Sequence, residues 1–65
     1  MIVKELMSLL AKCDPNAKVY TQQWSENYVN SVAEVPNEGL VYLADDLSAL
    51  KSDFDEEKRL LREVH

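Results

Sequence analysis

Between Val3 and Cys13 apolar side chains return at spacings of three and four. Val3, Leu6, Leu10 and Cys13 mark a stripe, and Met7 and Leu9 widen it. Lys4, Glu5, Ser8 and Lys12 fill the remaining positions. This period predicts an amphipathic helix. Asp14-Pro15 ends it, because proline disfavours the helical conformation in the residue before it and has no backbone N–H to donate. Asn16 suits a turn. The stretch from Cys13 to Ala17 therefore reads as a helix stop and a sharp turn into a strand.

From Ala17 the period becomes two. Ala17, Val19 and Thr21 point one way, and Lys18, Tyr20 and Gln22 the other. A turn is expected over residues 23–28, with Ser25, Glu26 and Asn27 as its polar tip. Residues 28–35 alternate again, with Val29, Ser31, Ala33 and Val35 against Tyr28, Asn30, Val32 and Glu34. Both faces carry apolar residues, so the inward face stays open. Pro36 to Gly39 form a second turn, where the only glycine can take a positive φ. The run Leu40 to Leu43 suits a central strand covered on both sides.

Residues 44–65 contain no glycine or proline. Leu47, Leu50, Phe54, Leu61 and Val64 make a helical stripe in which Leu47, Phe54 and Leu61 stand seven apart. Asp53 with Glu56 three residues later resembles a capping box, so a break near Ser52 is an alternative to one continuous helix. Acids at the start (Asp53, Asp55, Glu56, Glu57) and bases near the end (Lys58, Arg59, Arg62) complement a helix dipole, and Asp55 and Arg59 are a favourable four-residue pair. Residues 45–64 are thus predicted to be helical. The expected fold class is α+β: an N-terminal helix, a three-stranded antiparallel meander and a C-terminal helix, in one domain over residues 1–65.

Size and charge narrow the functions. A chain of 65 residues buries only about 60% of the surface it exposes when unfolded, and small domains often gain a second core by oligomerising. The net charge of −5 opposes binding along a nucleic-acid duplex, which needs a clustered basic face. It suits solubility first, and a basic partner surface second. No apolar run approaches the ~20 residues of a membrane span. Lys4, Glu5 and Lys12 interrupt the opening stretch, which therefore does not read as a signal peptide. The single cysteine, Cys13, permits no internal disulfide and fits a reducing compartment.

Chemistry is hard to place. Cys13 lacks a base, since the one histidine is His65, and a packing role suits it better. The acids Asp45, Asp46, Asp53, Asp55, Glu56 and Glu57 read as a solvated helix start and not as a metal or acid–base site. Glycine-rich phosphate loops, metal-ligand spacings and triad material are missing, so neither enzymatic activity nor a cofactor is expected. The aromatics carry more. Tyr20 and Trp24 share a parity on the first strand, and Trp24 and Tyr28 flank the polar turn. Such residues either fill a small core or form interface anchors.

The opening "VKELMSLLAKCDPNAKV", followed by a hairpin and "EGLVYL", resembles a recurrent kind of small phage or prophage protein that begins with a "VxELxxxLxxxxPxAxV"-like stretch. The matching positions are Val3, Glu5, Leu6, Leu10, Pro15, Ala17 and Val19, then Leu40 to Leu43. The resemblance implies a phage accessory protein acting in the bacterial cytoplasm, commonly by blocking a host protein. On that expectation Tyr20, Trp24, Glu26 and Tyr28 contact the host protein, and Leu47, Phe54 and Leu61 form a dimer or core seam of a homo-oligomer. The competing expectation is an oligomer that sequesters an anionic nucleotide, with Tyr20, Trp24 or Tyr28 stacking on the base and Lys18 or a tail arginine meeting phosphate. A third is a structural subunit of a larger assembly.

Overall fold

The N-terminal stripe folds as α1 (Val3–Leu10). Past it the chain tightens, with the Lys12 and Cys13 amides donating to the Leu9 and Leu10 carbonyls. Asp14 then closes the turn twice: its carboxylate accepts the Asn16 N–H at 2.9 Å and its carbonyl accepts the Ala17 N–H at 3.0 Å. This Asx-type closure delivers the chain into β1 (Lys18–Thr21). It is followed by β2 (Ser31–Val35), β3 (Leu40–Ala44), α2 (Ser48–Glu56) and β4 (Arg62–Val64). The computed structural model describes residues 1–21 and 28–65.

The expected three-stranded antiparallel meander between two helices is corrected by the strand pairing. The sheet has four strands in the order β1-β3-β2-β4 and is mixed. β2 and β3 form the expected hairpin, with Val35 opposite Leu40 and Gly39 at φ 62°. β1, however, pairs parallel with β3 (Lys18 with Leu40, Thr21 with Leu43) and does not touch β2. The turn expected over residues 23–28 would make the first two strands neighbours; β3 stands between them instead, and residues 22–27 lie outside the described residues.

The second correction concerns the tail. Residues 45–64 are not one helix, and the helix does not break at Ser52. It starts earlier, where the Asp46 carboxylate accepts both the backbone N–H and the hydroxyl of Ser48 at 2.9 and 2.8 Å. It ends at Glu56, where Lys58 takes a left-handed φ of 55°. The Arg59 N–H then donates to the Phe54 carbonyl at 2.8 Å and the Lys58 N–H to that of Asp55 at 3.1 Å. This is the Schellman pair of bonds, here with lysine in the position glycine usually fills. The Arg59 guanidinium folds back over the Phe54 ring, 4.3 Å from its centre. The chain after the stop becomes β4, antiparallel to β2.

The register assigns the two faces of the sheet. Val32 stands opposite both Leu43 and Val64, and Glu34 opposite Val41, so these side chains share a face. Val32, Val41, Val64 and Cys13 form a buried cluster there, with Leu6, Leu9 and Leu10 of α1 packed on it. Ala33 and Ala44 lie on the other face and cluster with Leu47, Leu50 and Leu61. One helix covers each face, and β2 runs between them with Val32 to Val35 all buried. That is why the sequence of β2 is apolar on both sides.

Candidate interaction surface

Glu34 locks α1 in place. It is the buried acid of the core, on the α1 face of β2. Its carboxylate accepts a 2.7 Å bond from Arg62, its cross-strand neighbour, and a 3.1 Å bond from the Asp14 N–H at the turn after α1. The arginine bond first, then the amide bond, hold the Glu34 carboxyl below the usual carboxylate range. Beside it, burial and then the Glu34 charge push the Cys13 thiol up, and the sulfur lies 3.6 Å from the Leu9 carbonyl. A thiol shifted upward is a poor nucleophile, and its setting is that of a core side chain.

At its other end α1 is tied by the Met1 ammonium, which donates to the Asn30 side chain at 3.3 Å. With Met1 at Asn30 and Asp14 at Glu34, α1 lies along β2 and runs in the same direction. Lys12 donates to the His65 carbonyl just past β4. Val3 and Met7 stand about one turn apart on one flank of α1.

That flank is uncovered. Val3 is 75% exposed and Met7 66%, with Ile2 beside them. Tyr28, 84% exposed, lies two residues before the Asn30 that holds Met1, which brings it near the start of α1. Among the described residues, the exposed large apolar side chains are Ile2, Val3, Met7, Val19, Tyr20, Tyr28 and Leu60. All but Leu60 belong to the first 28 positions.

Of the residues expected to contact a partner, Tyr28 stands clear of the body and Tyr20 lies on β1. Trp24 and Glu26 lie outside the described residues. Tyr20 ends an aromatic row: its ring centre is 5.7 Å from that of Tyr42, which is 6.0 Å, edge to face, from Phe54. Of the expected seam, Leu47 and Phe54 are buried and Leu61 is half-buried, all packed within their own chain. Val3, Met7 and Val19 were not expected at the surface. The signal was the width of the α1 stripe, broader than one strand can cover.

Several charged groups near the end of α2 and β4 are already paired. A cleft of about 210 Å³ lies between the β2–β3 turn and the end of α2, lined by Val35, Asn37, Glu38, Lys58, Arg59 and Leu60. Its arginine already binds Glu38 and, at 3.0 Å, Glu57. Lys51 pairs with Glu63, whose carboxyl this bond holds below its ordinary range. Among the described residues, no helix is long and apolar enough to cross a membrane. Compared with protein-family models, with curated proteins and with solved structures, the chain matches none.

Proposed function

We propose that this is a non-enzymatic binding protein that docks on another protein through the open flank of α1. The observation that carries this reading is the exposed apolar group Ile2, Val3 and Met7 with Tyr28 beside it. Exposed apolar side chains grouped on one helix suit an interaction site, and an exposed tyrosine suits an interface anchor. The phage-like opening sequence supports one version of this reading: the partner is a bacterial host protein, inhibited by being covered, in the cytoplasm. Trp24 and Glu26, expected from the sequence to contact the partner, precede Tyr28 in the chain.

The test is a titrated pull-down from bacterial lysate with the full chain and with Met7→Asp. The expected result is a saturable protein partner that binds the unaltered chain and is lost, on the order of tenfold or more, with Met7→Asp. A partner bound equally by both, or no saturable partner, overturns the reading. The nucleotide-sequestering alternative draws support from Lys18 and Tyr20, which share one face of β1. A thermal-shift screen with cyclic nucleotides distinguishes it, because tight binding to the native state raises the melting temperature.

A further inference from the structure

The two outer strands of the sheet are finished differently. β4 has three residues, two of them charged: Arg62 binds Glu34, and Glu63 binds Lys51. Short, charged strands are how sheets blunt their edges. β1 is open along its length, with all four residues exposed, and no described residue pairs with its outer side. Its hydrogen-bonding direction is known, because the Lys18 N–H donates inward to the Gly39 carbonyl at 2.9 Å. Backbone groups alternate along a strand, so Tyr20 also faces β3, while Val19 and Thr21 turn their N–H and C=O groups outward.

We propose that β1 is the dimer interface of this protein, pairing antiparallel with β1 of a second copy about a two-fold axis through Tyr20. A two-fold normal to the sheet requires residues of like parity to meet, because opposed residues share a face. Centring it on Tyr20 places Val19 opposite Thr21 of the second copy, and Thr21 opposite its Val19. Those are the residues with outward backbone groups, and they exchange four hydrogen bonds. Tyr20 meets its own symmetry mate as a non-hydrogen-bonded pair, the arrangement in which cross-strand side chains come closest. The row Phe54–Tyr42–Tyr20, which stops at the open edge in one chain, then continues into the same row of the second copy.

At this edge two copies can meet without opposing their acidic surfaces. Residues 1–21 carry Lys4, Lys12 and Lys18 against Glu5 and Asp14, a net +1, whereas residues 28–65 carry nine acids against four bases, a net −5; Glu26 makes up the total of −5. Two acidic copies therefore meet along a strand that holds no carboxylate. The blunted β4 edge stops the joined sheet from growing, so the contact closes as a dimer and does not propagate. The strand edge covers on the order of 300 Å² per copy, against ~800 Å² per partner in a standard interface. The dimer is accordingly weak, forming as concentration rises from low micromolar to millimolar.

Sedimentation equilibrium over that range on the full chain tests it. The expected mass rises from one chain to two. Val19→Pro removes an outward N–H while leaving the inward bonds to β3, and Tyr20→Glu sets two like charges against each other; both are expected to stay monomeric with an unchanged circular-dichroism spectrum. Tyr20→Cys is expected to form a disulfide dimer on mild oxidation. Val19→Cys is not, because its symmetry mate lies about two residues further along, beyond the ~7 Å Cα reach of a disulfide. A chain that remains monomeric at millimolar concentration overturns the proposal. So does a dimer that survives Tyr20→Glu, or crosslinking through Val19→Cys equal to that through Tyr20→Cys.

Discussion

β1 and β4 are both edges of one sheet, and only one of them is sealed. β4 presents alternating charges, each tied to an inner element: Arg62 to the buried Glu34 of β2, Glu63 to Lys51 of α2. β1 presents Val19 and Tyr20 on opposite faces, and among the described residues its outer backbone edge has no strand partner. The same contrast holds for the helices. The apolar side chains of α2 and of Leu47 just before it converge on the sheet, with Leu47 and Phe54 each only 3% exposed. Those of α1 wrap too far around, and Val3 and Met7 are left outside. The buried side chains of β2, β4 and α2 thus stand against the exposed apolar side chains of α1 and β1, where the proposed contacts lie.

The contrast breaks most directly when the same kind of truncation is made on both sides. Phe54→Ala is expected to lower the unfolding free energy by about 3–5 kcal/mol, the range for a buried aromatic. Tyr20→Ala is expected to lower it by less than about 1 kcal/mol in dilute solution. Urea unfolding monitored by circular dichroism measures both, and similar losses at the two positions would erase the distinction.

Next in size is the Glu34 lock. Arg62→Ala leaves a buried carboxylate with only the Asp14 amide as a partner, and is expected to cost about 1–2 kcal/mol. The pH dependence has a definite sign. The folded-state value of Glu34 is depressed, so its contribution is fully present above the ordinary carboxylate range. It is lost as pH falls through the lower folded-state value. Glu34→Gln should therefore flatten the fall in stability between about pH 5 and pH 3 relative to the unaltered chain. An unchanged slope would show that this pair does not couple α1 to β4.

The smallest expected effect is a gain. Lys58 holds a left-handed conformation that costs a side-chain-bearing residue roughly 1–2 kcal/mol. Lys58→Gly is expected to stabilise the chain by about 0.5–1 kcal/mol, net of the greater freedom of glycine in the unfolded state. A loss of stability would mean that the stop depends on the lysine side chain.

Local signals in the sequence were readable and distant ones were not. The Asp14 turn is written in neighbouring residues, and so are the apolar run of β3 and the turn at Gly39. The parallel pairing of β1 with β3 depends on contacts between residues 22 positions apart, and strand alternation alone says nothing about which strand comes next in the sheet. The end of α2 was missed because its stop is carried by Lys58 and not by glycine, with Arg59 over Phe54 closing it. Leu61 fell on the helical period of Leu47 and Phe54, yet reaches the same cluster from the segment before β4. For the surface, Tyr20 and Tyr28 were legible as aromatics near the polar run Ser25, Glu26 and Asn27 of the sequence. Val3 and Met7 were not, since an apolar residue on a helix stripe reads as core until the width of the covering strand is known.

Amide hydrogen exchange of the β1 residues, followed from dilute to concentrated protein, tests the open edge most directly. If β1 is unpaired in one chain and paired between two, the Lys18 and Tyr20 amides are protected at every concentration. Those of Val19 and Thr21 exchange freely in dilute solution and gain protection as concentration rises. Val19 and Thr21 amides already protected in dilute solution, or still exposed at millimolar concentration, would contradict it.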